Sequence, residues 1–303
     1  MGLLGAACSR RSPPVEPAPP SVPASVSAPA PGAAPGPELR RLEWTLPDWP
    51  GGPARVVVLA PAWTPPEVRH PVLIALHGRG EALKGPDRGA LGWPDDYQLV
   101  RAVGRLRAPP LTAADLEGLV EPEHLAAINL DLASRPFPGL VVACPFVPDL
   151  RLERASELAT YGRALTEQLL PRVRAETPAL ATPESTGIDG VSLGGAVALR
   201  VGLARADAFA AVGALQPAIA EWQVGELTEL VRAARARRKN LALRLTTSKE
   251  DGFRRPTERL SAALRKGGLA HDFAVLPGPH DYVFNRGPGV YEMLLWHAAQ
   301  LAR

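Results

Sequence analysis

The chain has little of what marks several common classes of protein. Only two of its 303 residues are cysteine, Cys8 and Cys144, and they lie too far apart in sequence to form a C-x-x-C pair. No H-E-x-x-H or comparable ligand spacing occurs, so we expect no metal site and no cofactor. No apolar run approaches the roughly 20 residues that a membrane-spanning helix needs.

A strong excess of charge of either sign is also missing. The 34 basic residues face 31 acidic ones, which leaves a net charge of +3. The basic stretch Val231–Asn240 comes at the end of a predicted helix, where its charges favour the negative pole of the helix dipole and face water. No nucleic-acid-binding motif accompanies it, so we expect no nucleic-acid partner.

The first eight residues, MGLLGAAC, end in small residues before Cys8. This pattern resembles the lipobox of bacterial lipoproteins, in which the cysteine is lipidated. The apolar stretch is shorter than the 7–15 residues of a signal peptide and lacks a basic start. A start codon upstream of Met1 is one explanation, with possible membrane attachment through a lipidated Cys8. The alternative is an ordinary terminus that contains a cysteine, on a cytoplasmic protein.

Residues 9–38 contain ten prolines and no aromatic residue. Such a segment cannot bury enough apolar surface to fold, and its prolines favour an extended chain. With a lipidated Cys8 it would tether a domain in the cell envelope, facing the periplasm or the exterior. A tail without an anchor explains the composition equally well.

Residues 39–303 read as a folded domain in which apolar runs alternate with helical stretches. Two early strands, LRRLEWTL and ARVVVLA, suggest a hairpin. Continuous apolar runs such as PVLIALHG (71–78) indicate strands that are buried on both faces. The alternation predicts an α/β fold with a mostly parallel sheet and helices on both faces.

One connection, residues 81–138, is too long for a simple crossover after the third strand. Within it, TAAD (112–115) resembles a capping box that opens a helix, and PEHLAAINLDLAS predicts another helix. This insertion could form a cap over the active edge, or it could pack to one side of the sheet. Trp93 and Tyr97 within it could line an apolar pocket or pack the insertion on the body.

The segment GIDGVSLGGAVALR (187–200) places Ser192 between a predicted strand and a predicted helix. This arrangement resembles the nucleophile elbow of the α/β-hydrolase superfamily, where a serine occupies a strained turn. Gly190 and Gly194 are then required because a Cβ atom at either position would clash across the turn. Asp189 is expected to support the turn through a hydrogen bond.

The resemblance extends to residues after the serine, where the superfamily places its acid and its histidine. Asp251 follows the strand LALRLTTS, and His280 follows FAVLPG. These segments are similar to the bacterial esterase branch related to esterase D and polyhydroxyalkanoate depolymerases. Glu250 is a rival for the role of the acid. Asp281 is too close in sequence to His280 to reach the correct ring nitrogen.

An acyl-transfer site also needs donors for the developing oxyanion. The helix start supplies the backbone N–H of Leu193. The segment ALHGRGE is similar to the His-Gly loop that follows the third strand in the superfamily, which implies a second donor at the N–H of Arg79. Gly78 and Gly80 would keep this loop tight. His77 is then structural, because chain order assigns the base to His280.

The sequence therefore predicts a serine hydrolase that cleaves carboxylic esters through a Ser192–His280–Asp251 triad and an acyl-enzyme. The expected partner is a small-molecule ester or a short peptide. A small serine peptidase of the same fold remains an alternative, because the same steps cleave amides. A surface binding protein without turnover is another.

Overall fold

The computed structural model describes residues 39–301. The predicted lipidation site Cys8 and the predicted tether at residues 9–38 lie outside the described residues.

An eight-stranded sheet forms the centre of the fold. Its strands are β1 (Leu39–Leu46), β2 (Ala54–Pro61), β3 (Val72–Leu76), β4 (Val141–Pro145), β5 (Thr186–Gly190), β6 (Ala211–Leu215), β7 (Ala242–Glu250) and β8 (Asp272–Pro279). Their order across the sheet is β1-β2-β4-β3-β5-β6-β7-β8. The first two strands pair antiparallel, as the predicted hairpin requires, and β2 is also antiparallel to β4. All later pairs are parallel.

Within residues 39–301, ten α-helical segments surround the sheet. They are α1 (Arg79–Ala82), α2 (Leu99–Arg107), α3 (Pro122–Ser134), α4 (Ala155–Arg163), α5 (Leu170–Glu176), α6 (Leu193–Ala204), α7 (Val224–Arg237), α8 (Arg254–Lys266), α9 (Tyr282–Phe284) and α10 (Val290–Leu301). A π-helical stretch, Ala164–Leu169, joins α4 to α5. Within residues 39–301, no helix combines the length and the apolar character needed to cross a bilayer.

The middle strand β5 shows how the sheet comes to be covered on both faces. Its residues alternate between the two sides, as the pleat requires. Ile188 lies under Gly202 of α6, where an added Cβ would meet it at 2.7 Å. The neighbouring Asp189 faces the other way and bonds His297 of α10 at 2.9 Å. The prediction of a mostly parallel sheet between two helical layers is thus confirmed.

The insertion between β3 and β4 differs from the sequence prediction at one point. The predicted helix PEHLAAINLDLAS forms as α3, but no helix starts at TAAD. The Asp115 carboxylate accepts bonds from the N–H and the hydroxyl of Thr112, which is half of a capping box. Glu117 and Gly118 then adopt positive φ values of 55° and 74°. This left-handed backbone ends the segment after a few turn residues.

Candidate active site

Ser192 occupies the sharp turn between β5 and α6. Its φ of 59° and ψ of −118° lie where a residue with a side chain is strained. The surrounding backbone fixes this conformation, because the Ser192 N–H donates to the Leu215 carbonyl at 3.0 Å and the Ser192 carbonyl accepts from Ala218 at 2.9 Å. The turn therefore presents the hydroxyl at the carboxyl edge of the parallel strands.

Two glycines allow the strand and the helix to meet this closely. A Cβ atom on Gly190 would lie 2.5 Å from the backbone of Gly194, and one on Gly194 would lie 2.4 Å from the Leu76 carbonyl oxygen. Both distances are shorter than any real carbon contact, so only glycine fits. Asp189, directly before the turn, accepts a bond from the Gly190 N–H at 2.7 Å.

His280 follows β8 and points its ring at the serine. The distance from its Nε2 to Ser192 Oγ is 3.0 Å, and the distance from its Nδ1 to Asp251 Oδ1 is 2.8 Å. The Asp251 carboxylate has no exposed surface, and Thr247 and the Phe253 N–H also donate to it at 2.6 and 2.9 Å. Because an ionised carboxylate only accepts, this arrangement places the ring proton on Nδ1 and leaves Nε2 as an acceptor for the hydroxyl.

The two other acids considered from the sequence lie elsewhere. Glu250 is exposed at the end of β7. Asp281 turns away and accepts from the N–H of Phe284, which caps α9. The structure brings only Asp251 of these three carboxylates to the histidine.

Gln216 holds the chain just before His280. Its side-chain amide donates to the Pro279 carbonyl at 2.9 Å and to the Ser248 hydroxyl at 2.7 Å. Gln216 itself has a φ of 42° and is fully buried. These hydrogen bonds give Gln216 a supporting contact beneath the histidine loop.

The loop after β3 lies next to the serine. A Cβ atom on Gly78 would lie 3.6 Å from Ser192 Cβ, and one on Gly80 would lie 3.5 Å from the Tyr282 hydroxyl. Arg79 opens α1, and its side chain forms an exposed ion pair with Asp149 at 2.9 Å. Among the described residues, the backbone N–H groups of Arg79 and Leu193 have no hydrogen-bond acceptor.

His77 is part of the same loop but faces the protein interior. Its Nδ1 bonds the Gly78 carbonyl and its Nε2 accepts from the Val147 N–H, both at 2.9 Å. Complete burial lowers its pKa to about 4, so the ring is neutral and both nitrogens are occupied. Its contacts are those of a structural histidine that fixes the loop to the chain after β4.

A buried carboxylate, which no sequence pattern predicts, joins the loops around the serine. Glu81, 2% exposed, accepts hydrogen bonds from the hydroxyls of both Tyr97 and Tyr282. Lys84 lies 3.6 Å from the same carboxylate. The desolvation of Tyr97 and its contact with Glu81 raise its pKa well above the usual range. The contact thus links the loop after β3, the insertion and the segment that follows His280.

Two parts of the insertion lie near the serine at the carboxyl edge of the sheet: the segment with Trp93 and Tyr97, and residues 117–119. Tyr97 and its neighbour Trp93 are buried with their rings 4.9 Å apart, edge to face, so they pack the insertion on the body. Leu119 lies where a Cβ atom on Gly278 would meet it at 2.8 Å. Glu117 forms an ion pair with Arg286 at 3.2 Å. These contacts place residues 117–119 beside the histidine loop.

Residues 149–297 match the Esterase family model, described as "Putative esterase". The fold is similar to that of a ferulic acid esterase, with a TM-score of 0.64 and 16% identity over 87% of this chain and 99% of that one. It is also similar to an S-formylglutathione hydrolase (FrmB) from Staphylococcus aureus, with a TM-score of 0.59 and 16% identity over 86% of this chain and 99% of that one.

A third solved structure, the enterobactin esterase FES from Shigella flexneri, has a TM-score of 0.56 and 18% identity over 88% of this chain and 60% of that one. No curated protein matches the sequence significantly. The chain shares the fold of these three solved structures, and its residues 149–297 are similar to the esterase family.

Proposed function

We propose that the protein is a serine hydrolase that cleaves carboxylic esters through an acyl-enzyme. The observation that carries this proposal is the hydrogen-bonded series Ser192–His280–Asp251, with distances of 3.0 and 2.8 Å. The match of residues 149–297 to the esterase family supports an ester as the substrate.

The proposed reaction begins with neutral His280. Its Nε2 accepts the proton of Ser192 as the Oγ atom attacks the acyl carbon. The Asp251 carboxylate holds the Nδ1 proton and stabilises the imidazolium that forms. His280 then donates the proton to the departing alcohol, which leaves the acyl group on Ser192. A water molecule, deprotonated by the same ring, attacks this ester and releases the acid.

The negative charge on the carbonyl oxygen needs donors in place beforehand. We assign this role to the backbone N–H groups of Leu193 and Arg79. The first lies at the start of α6, where the helix dipole favours negative charge. Neither group is engaged by an acceptor within the described residues, so both are free to bind the oxyanion. The Arg79 side chain takes no part, because it is paired with Asp149 at the surface.

The partner in this reaction is a small-molecule ester. The solved structures to which the fold is similar include the ferulic acid esterase and the enterobactin esterase, and both of these proteins are named for ester cleavage. The side of the site towards the insertion carries Tyr282, which is 40% exposed. A substrate that reaches Ser192 from this side would meet this residue.

Turnover of p-nitrophenyl esters of increasing acyl length tests the proposal. We expect wild-type protein to hydrolyse at least the short esters and the Ser192→Ala variant to lose this activity. The corresponding p-nitroanilides should react far more slowly. Faster cleavage of the anilides would favour the peptidase, and a folded protein that cleaves neither would favour a binding protein.

We also propose, from the sequence alone, that Cys8 is a lipid anchor and that the protein lies in the cell envelope. Expression from an upstream start should then give protein in the detergent phase. Cys8→Ser should move the protein to the soluble fraction, whereas Cys144→Ser, at a buried position, should not. The same distribution for Cys8→Ser and wild type would remove the anchor.

A further inference from the structure

Three ionisable side chains are buried together beneath the turn that carries Ser192. Asp189 and His297 have no exposed surface, and Arg244 is 4% exposed. The Asp189 Oδ2 atom lies 3.0 Å from Arg244 Nη2 and 2.9 Å from His297 Nε2. The three residues belong to β5, β7 and α10, and we call them the Asp189 network. The proposed reaction uses none of them directly.

The charges of the Asp189 network balance. Burial lowers the pKa of His297, so its ring is neutral, and the Arg244 guanidinium neutralises the Asp189 carboxylate. Arg244 also donates from Nη1 to the Glu292 carbonyl at 2.5 Å, which holds the guanidinium against α10. A buried ion pair is often no more stabilising than apolar side chains of the same volume. Stability alone therefore does not account for these three groups in the core.

The Asp189 carboxylate takes the place of a strand partner. The strand β5 pairs with β6 at Ile188 and again at Val191, with a gap between them. In this gap, Asp189 Oδ1 accepts a hydrogen bond from the Gly190 N–H at 2.7 Å. Gly213 of β6 faces the gap, and a Cβ atom there would lie 1.9 Å from Asp189 Oδ2. The glycine therefore leaves the room that the carboxylate needs beside β6.

Three consecutive N–H groups lead into the strained turn. Those of Val191 and Ser192 donate to backbone carbonyls of β3 and β6, at 3.1 and 3.0 Å. That of Gly190 donates to the carboxylate of Asp189. A strained backbone conformation persists only where its surroundings over-determine it. Asp189 is thus the one side chain among the three acceptors that hold the turn.

Arg244 and His297 fix the direction of the Asp189 carboxylate. Both donate to its Oδ2 atom, which leaves Oδ1 turned towards the Gly190 N–H. Without them the carboxylate could rotate, because this torsion of aspartate is broad. Since the two donors come from β7 and α10, the direction of the carboxylate depends on how both elements pack on β5.

The position of Ser192 determines the rate of the proposed reaction. Its Oγ atom lies 3.0 Å from His280 Nε2, and an error of about 1 Å in such a geometry can cost about 10²-fold in rate. We propose that Asp189 is a positioning residue for Ser192. Held by Arg244 and His297, its carboxylate fixes the strained turn and so sets the rate of acyl transfer to the serine. This role rests on the proposed serine hydrolase function.

Double substitutions in the full-length protein test the proposal, because a change at Asp189 alone leaves Arg244 charged and unpaired. Asp189→Asn/Arg244→Met keeps an oxygen atom that accepts from the Gly190 N–H, and Asp189→Ala/Arg244→Met does not. On one p-nitrophenyl ester, the first variant should have about 10–100 times the kcat of the second, with similar KM values. Fluorophosphonate labelling of Ser192 should slow in parallel with kcat.

Ile188→Ala is the control for a purely structural effect. It removes a buried side chain from the neighbouring position of β5, on the opposite face, and leaves all three acceptors of the turn in place. It should lower the free energy of unfolding in urea and leave kcat close to that of wild type. A loss of kcat as large as that of Asp189→Ala/Arg244→Met would show that any truncation of β5 disturbs the turn, and would overturn the proposal.

His297→Leu tests the Asp189 network without a change at Asp189. Because the His297 ring is neutral, the variant leaves no charge unpaired and should fold. It removes one of the two donors to Oδ2, so kcat should fall by about three- to tenfold while KM stays the same. A kcat equal to that of wild type would contradict the positioning role.

The wild-type protein separates this proposal from the function on which it rests. If wild type hydrolyses the ester and the two double variants have equal kcat values, the positioning role is overturned and the hydrolase function stands. If folded wild type neither hydrolyses esters nor reacts with the fluorophosphonate, both are overturned.

Discussion

Tyr282 donates a hydrogen bond from its hydroxyl to Glu81, and this contact joins the loops on either side of Ser192. Glu81 lies two residues after the proposed oxyanion donor Arg79, and Tyr282 lies two residues after His280. The contact therefore ties the loop of the proposed oxyanion donor to the loop of the proposed general base.

Tyr282→Phe is expected to lower kcat for ester hydrolysis about tenfold, since the loss of one hydrogen bond to a charged group costs ~1.4 kcal/mol or more. The fold should persist because Glu81 keeps Tyr97 and Lys84 as partners. Tyr291→Phe is the matched control, since the buried Tyr291 hydroxyl has no partner among the described residues. Comparable kcat values for the two variants would show that the Glu81 contact does not position the site.

Asp251→Asn should reduce kcat by about 10³–10⁴-fold, because an amide no longer stabilises the imidazolium or enforces the Nδ1 tautomer. Glu250→Gln changes the adjacent, exposed carboxylate and should leave kcat within about twofold of wild type. Steady-state kinetics on one p-nitrophenyl ester decides whether Asp251 or Glu250 is the acid. A large loss in Glu250→Gln with an active Asp251→Asn would reverse the assignment of the acid.

Gly194→Ala should destabilise the protein strongly, since its methyl group would lie 2.4 Å from the Leu76 carbonyl oxygen and α6 would have to move off β3. We expect a loss of ~2–4 kcal/mol in the free energy of unfolding. Gly225→Ala, near the start of α7 with nothing within 4 Å of the new atom, should be neutral or slightly stabilising. Urea unfolding measures both, and equal stabilities would contradict the observed packing.

The free energy of unfolding should fall as the pH drops from about 6.5 towards about 4. Burial lowers the pKa of His77 to about 4, whereas the unfolded chain titrates near 6.5. Between these values the unfolded state binds a proton that the folded state refuses, so acid favours unfolding by at most ~1.4 kcal/mol per pH unit for this group.

Two other histidines also affect how the free energy of unfolding depends on pH. Burial also lowers the pKa of His297 and acts in the same direction, while the Glu292 carboxylate raises the pKa of His124 and opposes it. Urea unfolding at about pH 7 and about pH 5 should therefore show a smaller change in the free energy of unfolding between the two pH values for His77→Asn than for wild type. An identical pH dependence in the two proteins would mean that folding does not lower the pKa of His77.

The strands and most helices could be predicted from the sequence because their apolar patterns are local. The strand β3 follows directly from the continuous apolar run VLIAL, and the helix α6 follows from a glycine-rich turn and the apolar stretch after it. The prediction that a helix starts at TAAD was wrong, because the local capping contact forms but does not suffice to start a helix. Asp115 does bond Thr112, yet Arg105 holds the same carboxylate at 2.8 Å and the left-handed residues that follow end the turn.

The sequence predicts the order of the proposed nucleophile, acid and histidine, and it favours Asp251 over Glu250 as the acid, but it does not show the physical reason for that preference. The reason lies at the end of β7, where pairing with β8 shifts register between Ser248 and Glu250. This irregularity leaves Glu250 exposed and Asp251 buried under the histidine. The Glu81 cluster had no sequence signal, because its members are up to 201 residues apart and only the folded chain brings them together.

Labelling with a fluorescent fluorophosphonate, followed by mass spectrometry of the modified peptide, tests the central claim most directly. The account predicts one modification on Ser192, and no labelling of a folded Ser192→Ala variant. Labelling should also be much slower in Asp251→Asn, because the serine is activated through His280. Modification at another residue, or equal labelling of Ser192→Ala, would contradict the assignment of Ser192 as the nucleophile.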